Sequence, residues 1–167
     1  MKFSAPLQNL IEALRNELQQ YGEMLALLDH QKDMIQQRGS DDILHSLASI
    51  NTQSAMIQVA RETRMFNQRQ LALSLKEPTD ATFARLVPNV PADCQPLITA
   101  LVQENNQLLL RVQQRAQENQ TLLRRSVDLM QQFITSLAPG EKGKQRLSKG
   151  GSVMEVEPAG ALYEAIV

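Results

Sequence analysis

Apolar residues recur at alternating spacings of four and three along most of this chain. That spacing is typical of helices that pack through one narrow stripe. It occurs in three long segments, at about residues 6–38, 41–76 and 92–137, which are separated by a Gly-Ser break and by prolines. The sequence therefore predicts an all-α fold with three long helices and essentially no strand.

The first two segments are separated only by a Gly-Ser pair at 39–40, so we expect them to fold back on each other as an antiparallel hairpin. The first stripe is interrupted once, by Lys32. The second is diluted by the polar run 61–64, where we expect poorer packing. The apolar positions are Leu7, Ile11, Leu14, Leu18, Tyr21, Leu25, Leu28 and Ile35 in the first, and Ile43, Leu44, Leu47, Ile50, Ile57, Leu71 and Leu75 in the second.

The third segment keeps its spacing from Ile98 to Leu137. At a rise of ~1.5 Å per residue, a helix over 92–137 is roughly 65–70 Å long. A compact core cannot cover such a helix. We therefore expect it either to lie along other helices or to leave part of its stripe open for a partner.

Asn105 and Asn119 occupy the same heptad position, fourteen residues apart, inside the third stripe. A buried asparagine costs stability but can fix helix register, because its amide requires a hydrogen-bonded partner. The other interpretation places each amide at a wet edge of the stripe. The sequence leaves both interpretations open.

The helical bundle is predicted to cover residues 1–138, with a Pro-rich connector at about 77–91. Within the connector, residues 81–87 favour a short helical turn capped by Thr79 or Asp80. Residues 139–167 are predicted to be a flexible basic linker that ends in a short apolar peptide.

The composition of the chain limits the classes of partner and the compartment that we expect. The chain has 167 residues and a net charge of −1, which gives no electrostatic argument for binding nucleic acid or an anionic membrane. No run approaches the roughly 20 apolar residues of a bilayer-spanning helix, and no signal-peptide pattern appears. A single cysteine suits a reducing compartment, so we expect a cytoplasmic protein.

Catalytic and metal-binding patterns are not evident. His30 and His45 lack further ligands at metal-site spacing, and we interpret them as solvent-facing. Cys94 has no histidine nearby in sequence to activate it. We therefore predict no enzymatic activity, no cofactor and no metal. A small cytosolic enzyme is the least favoured class of function.

The order of these elements resembles the FlgN-type flagellar chaperones. The resemblance covers most of the chain. It rests on the paired heptad helices, the Pro-broken connector, the motif Asn119-Gln120-Thr121-Leu122-Leu123 near the end of the last helix, and Leu162-Tyr163 in the tail. Two features depart from the family pattern: residues 164–167 stand where the family usually has a glycine turn, and the linker after Pro139 is long and basic.

The resemblance implies a cytosolic type III secretion chaperone. Such proteins bind the C-terminal helical segments of hook–filament junction proteins, keep them soluble and deliver them to the flagellar export gate. Carried over by position, Asn119, Leu122 and Leu123 match the helix motif of the family. Tyr163 matches a tail tyrosine associated with docking at the gate.

The residues themselves indicate where a client would bind. The apolar stripe after Asn119 is wider than a two-helix contact needs. The predicted client-binding surface is formed by Leu122, Leu123, Val127, Met130, Phe133, Ile134 and Leu137. The resemblance adds Asn119 to the predicted client-binding residues, and it implies that the apolar tail residues Leu162, Tyr163 and Ile166 dock at the export gate.

Two alternatives stay open from the sequence. The protein could be a structural coiled-coil adaptor or homodimer, in which the third helix pairs with itself and has no export role. The apolar end of the tail could also pack on the bundle and cover the open stripe instead of docking elsewhere.

Overall fold

The computed structural model describes residues 4–37 and 40–137, without the side chains of residues 40 and 41. The α-helices are Ala5–Gln37 (α1), Ser40–Ser74 (α2), Phe83–Leu86 (α3) and Gln95–Leu137 (α4). Two 3₁₀ turns, Val87–Asn89 and Ala92–Cys94, lead into α4, and no strand occurs among the described residues. The prediction of an all-α fold with three long helices is confirmed.

Helices α1 and α2 form the predicted antiparallel hairpin, and polar pairs mark their register. Gln53 Nε2 donates to Gln20 Oε1 (2.9 Å) and to the Gln20 carbonyl (3.0 Å). Nearer the turn, Gln31 Nε2 donates to Ser46 Oγ at 3.3 Å. These side chains are buried. The face of α2 that packs on α1 is therefore partly polar. Hydrogen bonds, as well as apolar burial, determine which side of α2 faces α1.

An ion pair joins the same two helices farther from the turn. Arg64 Nε lies 2.9 Å from Glu17 Oε2, and both side chains are almost completely buried. The Tyr21 hydroxyl donates to Glu17 Oε1 at 2.8 Å. Burial, followed by the charge of Glu17, raises the pKa of Tyr21 well above its usual range. The expectation of poor packing at residues 61–64 is therefore wrong, because Arg61 and Arg64 are buried.

Helix α4 runs parallel to α1, and the two asparagines establish this. Asn105 Nδ2 donates to the Leu14 carbonyl at 3.0 Å, and Asn119 Nδ2 donates to the Leu28 carbonyl at 2.8 Å. Both bonds join residues 91 positions apart, so one register holds along this length. Both amides are 2% exposed. Of the two interpretations of these asparagines, the structure supports the buried, register-fixing one.

The apolar core lies where the beginning of α1, the end of α2 and the beginning of α4 meet. Full burial of a leucine or isoleucine side chain contributes about 1.5–3 kcal/mol, so this cluster holds the three helices together. Its buried members are Leu7, Leu10, Ile11, Leu14, Leu71, Val90, Cys94, Ile98 and Leu101.

Helix α2 ends in a left-handed residue that is not glycine. Lys76 has a φ of 59°. The Glu77 amide bonds the Ala72 carbonyl at 2.8 Å and the Lys76 amide bonds the Leu73 carbonyl at 3.1 Å, which is the Schellman arrangement. The chain then turns so that Gln68 Nε2 reaches the Ala81 carbonyl at 2.9 Å.

Two local predictions are wrong. The short helix α3 begins after Thr82, rather than after Thr79 or Asp80, and Thr82 makes no side-chain capping bond. Leu44 and Leu47 were expected in the core of α2 but are 69% and 39% exposed. The reason is that the Gln31–Ser46 bond turns Ser46 inward and these leucines away from α1.

The chain divides into two units, with the boundary between Asn119 and Gln120, inside α4. The core, the ion pair and both asparagines belong to the first unit. The division predicted at residue 138 falls at the end of the described residues and stays a prediction.

Candidate functional site

The end of α4 carries a group of large apolar side chains that are exposed to solvent. Each is between 56% and 66% exposed. We refer to this group as the open stripe: Val127, Leu129, Met130, Phe133, Ile134 and Leu137. Clustered exposed apolar side chains of this kind mark interaction sites on proteins.

Helical spacing makes the open stripe one continuous surface. Residues three or four apart are neighbours on a helix. Met130 therefore adjoins Val127 on one side and both Phe133 and Ile134 on the other, and Leu137 adjoins the last two. Leu129 widens the surface beside Phe133. Sequence reasoning missed Leu129, because it lies outside the four-three spacing.

The predicted client-binding residues fall into three environments. Val127, Met130, Phe133, Ile134 and Leu137 are exposed together in the open stripe, whereas Leu122 and Leu123 are half-buried. Asn119 is 2% exposed, and its amide also donates to Gln31 Oε1 at 3.0 Å. The structure thus places Asn119 in the core of the first unit.

Charge is sparse along the second half of α4. Arg124 and Arg125 precede the open stripe, Asp128 follows them, and residues 129–137 carry no charge. A surface of this kind can bind an apolar helix mainly through packing.

The described residues contain no group of three or more histidine, cysteine or acidic side chains that could hold a metal ion. His30 and His45 are exposed, as predicted. Cys94 is 1% exposed and belongs to the apolar core. The predicted docking residues Leu162, Tyr163 and Ile166 lie outside the described residues.

The described residues combine an all-helical fold, a packed apolar core and an exposed apolar helix face, which is an arrangement typical of helical binding proteins. The family model described as FlgN protein matches residues 1–152 of the chain. The chain therefore belongs to the FlgN family, and this membership identifies it as a flagellar chaperone that acts in flagellum assembly.

No curated protein and no solved structure matches the chain. Among the described residues, no helix combines the length and the hydropathy needed to cross a bilayer.

Proposed function

We propose that this chaperone binds the C-terminal helical segments of hook–filament junction proteins on the open stripe of α4. It keeps these clients soluble in the cytoplasm and delivers them to the flagellar export gate. The observation that carries the proposal is the run of six apolar side chains left exposed at the end of α4. Family membership supports the flagellar role.

The chemistry of the open stripe suits a helical client. An amphipathic helix binds a partner through apolar anchors spaced three, four and seven residues apart. Phe133 offers a large rigid ring near the middle of the surface, and Met130 beside it adapts to partners of different shape. Leu122 and Leu123, which are half-buried, lie at the upstream margin of this surface.

Asn119 contributes to this function indirectly. Its bonds to Leu28 and Gln31 fix the register of α4 against α1. We propose that it positions α4 and that the client contacts the residues after it.

Replacing both Met130 and Phe133 with aspartate tests the proposal. Each change places a charge where the client's apolar face would pack, so client affinity should fall more than about 100-fold. Both residues are more than 60% exposed, so helicity and thermal stability should stay near those of the wild-type protein. Calorimetric titration with a purified junction protein measures the affinity, and circular dichroism measures the fold.

The matched control is Phe66→Asp with Leu110→Asp. Phe66 is 60% exposed on α2 and Leu110 is 51% exposed on the first half of α4. The control should bind the client as the wild-type protein does. Equal loss of binding in both variants would contradict a site restricted to the open stripe.

The same variants test the adaptor alternative. If the chain is an obligate dimer through α4, the Met130 and Phe133 changes should convert the dimer to a monomer, which sedimentation would detect.

We also propose that Leu162, Tyr163 and Ile166 form the peptide that docks at the export gate, with the Tyr163 ring as its anchor. Tyr163→Ala should then reduce export and motility. It should change the affinity for purified client by less than about threefold, which is roughly 0.7 kcal/mol. A larger loss of client affinity or of thermal stability would assign Tyr163 to the body of the protein.

A further inference from the structure

The only charged residues of α4 beyond Asn119 are Arg124, Arg125 and Asp128. Arg124 lies three residues before Val127 and Arg125 lies four residues before Leu129. These spacings place each arginine next to one edge of the open stripe. Both edges of the open stripe are thus basic at the end nearer Arg124 and Arg125. Along residues 129–137 the helix carries no charge.

Both arginines are exposed, and no ion pair among the described residues involves them. Asp128, the nearest carboxylate on this part of the helix, stands four residues after Arg124 and three after Arg125. On the helical wheel it lies on the face opposite the open stripe. The structure places it in no ion pair with either arginine, so both guanidinium groups are available to a partner.

From this arrangement we infer that the client segment carries carboxylates at one end of its apolar face and is uncharged along the rest. Those carboxylates lie beside Arg124 and Arg125 when the apolar face covers the open stripe. This inference rests on the proposed function and adds the chemistry that selects and orients the client. Because the charge pairs lie at one end of the interface, they favour one direction of the client helix and disfavour the opposite direction.

The contribution of these pairs is modest and sensitive to salt. Exposed ion pairs are weak and are screened over a Debye length of about 10 Å at 0.1 M ionic strength. Apolar packing on the open stripe supplies most of the affinity, and the arginines supply orientation and association rate.

The test is the double charge reversal Arg124→Glu with Arg125→Glu in the full-length chain, titrated with a purified hook–filament junction protein. We expect affinity to fall roughly tenfold at 50 mM NaCl and less than about twofold at 500 mM NaCl, because salt screens the repulsion. Changing the client's carboxylates at one end of its segment to lysine should restore the affinity of this variant.

The control is Arg69→Glu with Arg111→Glu, which changes the net charge equally at exposed arginines of α2 and of the first half of α4. It should leave affinity within about twofold of the wild-type value at both salt concentrations. An equal loss in control and test variants would show an effect of net charge alone and would overturn the inference.

The remaining outcomes are distinguishable. If the reversal has no effect while Met130→Asp with Phe133→Asp abolishes binding, the client site stands and the inference is wrong. If neither pair of changes affects binding, the proposed site itself is wrong. If the reversal changes the thermal stability of the full-length chain instead of client affinity, residues 138–167 of the same chain occupy the surface and the inference is again wrong.

Discussion

The two halves of α4 have the same apolar spacing but different surroundings. Between Ile98 and Asn119 the spaced residues are mostly buried, and two of them are asparagines bonded to α1. From Val127 to Leu137 the spaced residues are exposed. A heptad pattern therefore predicts a helix with an apolar face, but it does not determine whether that face is buried or exposed.

The two halves of α4 should also differ in what their side chains affect, either the stability of the fold or the binding of a client. The first half of α4 belongs to a unit with its own core and buried polar contacts. Side chains there should affect folding, whereas side chains of the open stripe should affect binding with little cost in stability. The following variants test this division, from the largest expected effect to the smallest.

Arg64→Ala should have the largest effect, a loss of about 3–5 kcal/mol in the free energy of unfolding. It leaves the Glu17 carboxylate, which is 1% exposed, buried without its cation. Urea denaturation followed by circular dichroism measures the loss. Replacing the pair together, with Glu17→Met and Arg64→Leu, should cost less than Arg64→Ala alone. A loss under 1 kcal/mol for Arg64→Ala would show that the pair is solvated.

Leu109→Ala and Leu129→Ala compare the two halves of α4 directly. Leu109 is 3% exposed and Leu129 is 62% exposed. We expect Leu109→Ala to cost about 2–4 kcal/mol, since it leaves a cavity, and Leu129→Ala to cost less than about 0.5 kcal/mol. Urea midpoints of the two variants check both values. Similar costs for the two would contradict the division of α4.

Much of this fold follows from the sequence alone. Helix spacing and the Gly-Ser and proline breaks are local signals, so the three long helices were predicted within a few residues of their observed ends. The spacing of Asn105 and Asn119 offered register fixing as one of two interpretations, and the buried contacts of both amides decide in its favour. The open stripe was predicted from its width, apart from Leu129.

The remaining features depend on contacts between distant residues. Glu17 and Arg64 are 47 positions apart, and each alone has the appearance of a surface charge. Only the hairpin register brings them together. Leu44 was assigned to the core because it is apolar, but Ser46 takes that place through its bond to Gln31. In this part of α2, a hydrogen-bonded polar pair therefore occupies the buried face in place of an apolar side chain.

Alkaline pH should weaken the first unit through Tyr21. Burial and the neighbouring Glu17 charge raise the pKa of Tyr21 in the folded protein, whereas its unfolded pKa is about 10. The resulting stability is complete below pH 10 and is lost as pH rises further, by at most about 1.4 kcal/mol per pH unit. Urea unfolding of wild-type and Tyr21→Phe proteins at pH 8, 10 and 11 isolates this dependence. An identical pH dependence of the two proteins would contradict it.

Lys76→Gly should stabilise the protein slightly, by about 1 kcal/mol. Lys76 holds a left-handed conformation at the end of α2, which glycine adopts without the steric cost of a Cβ atom. The gain should appear in the urea midpoint while client affinity stays unchanged, because the residue is far along the chain from the open stripe. A loss of stability would show that the Lys76 side chain contributes more than its backbone strain costs.

Amide hydrogen exchange of α4, with and without a purified hook–filament junction protein, tests the central claim most directly. We expect slow exchange over residues 98–119 in both states. Residues 127–137 should exchange rapidly in the protein alone and slowly in the complex. Slow exchange over 127–137 without client, or no change when client is added, would contradict the claim that the end of α4 is an open client-binding surface.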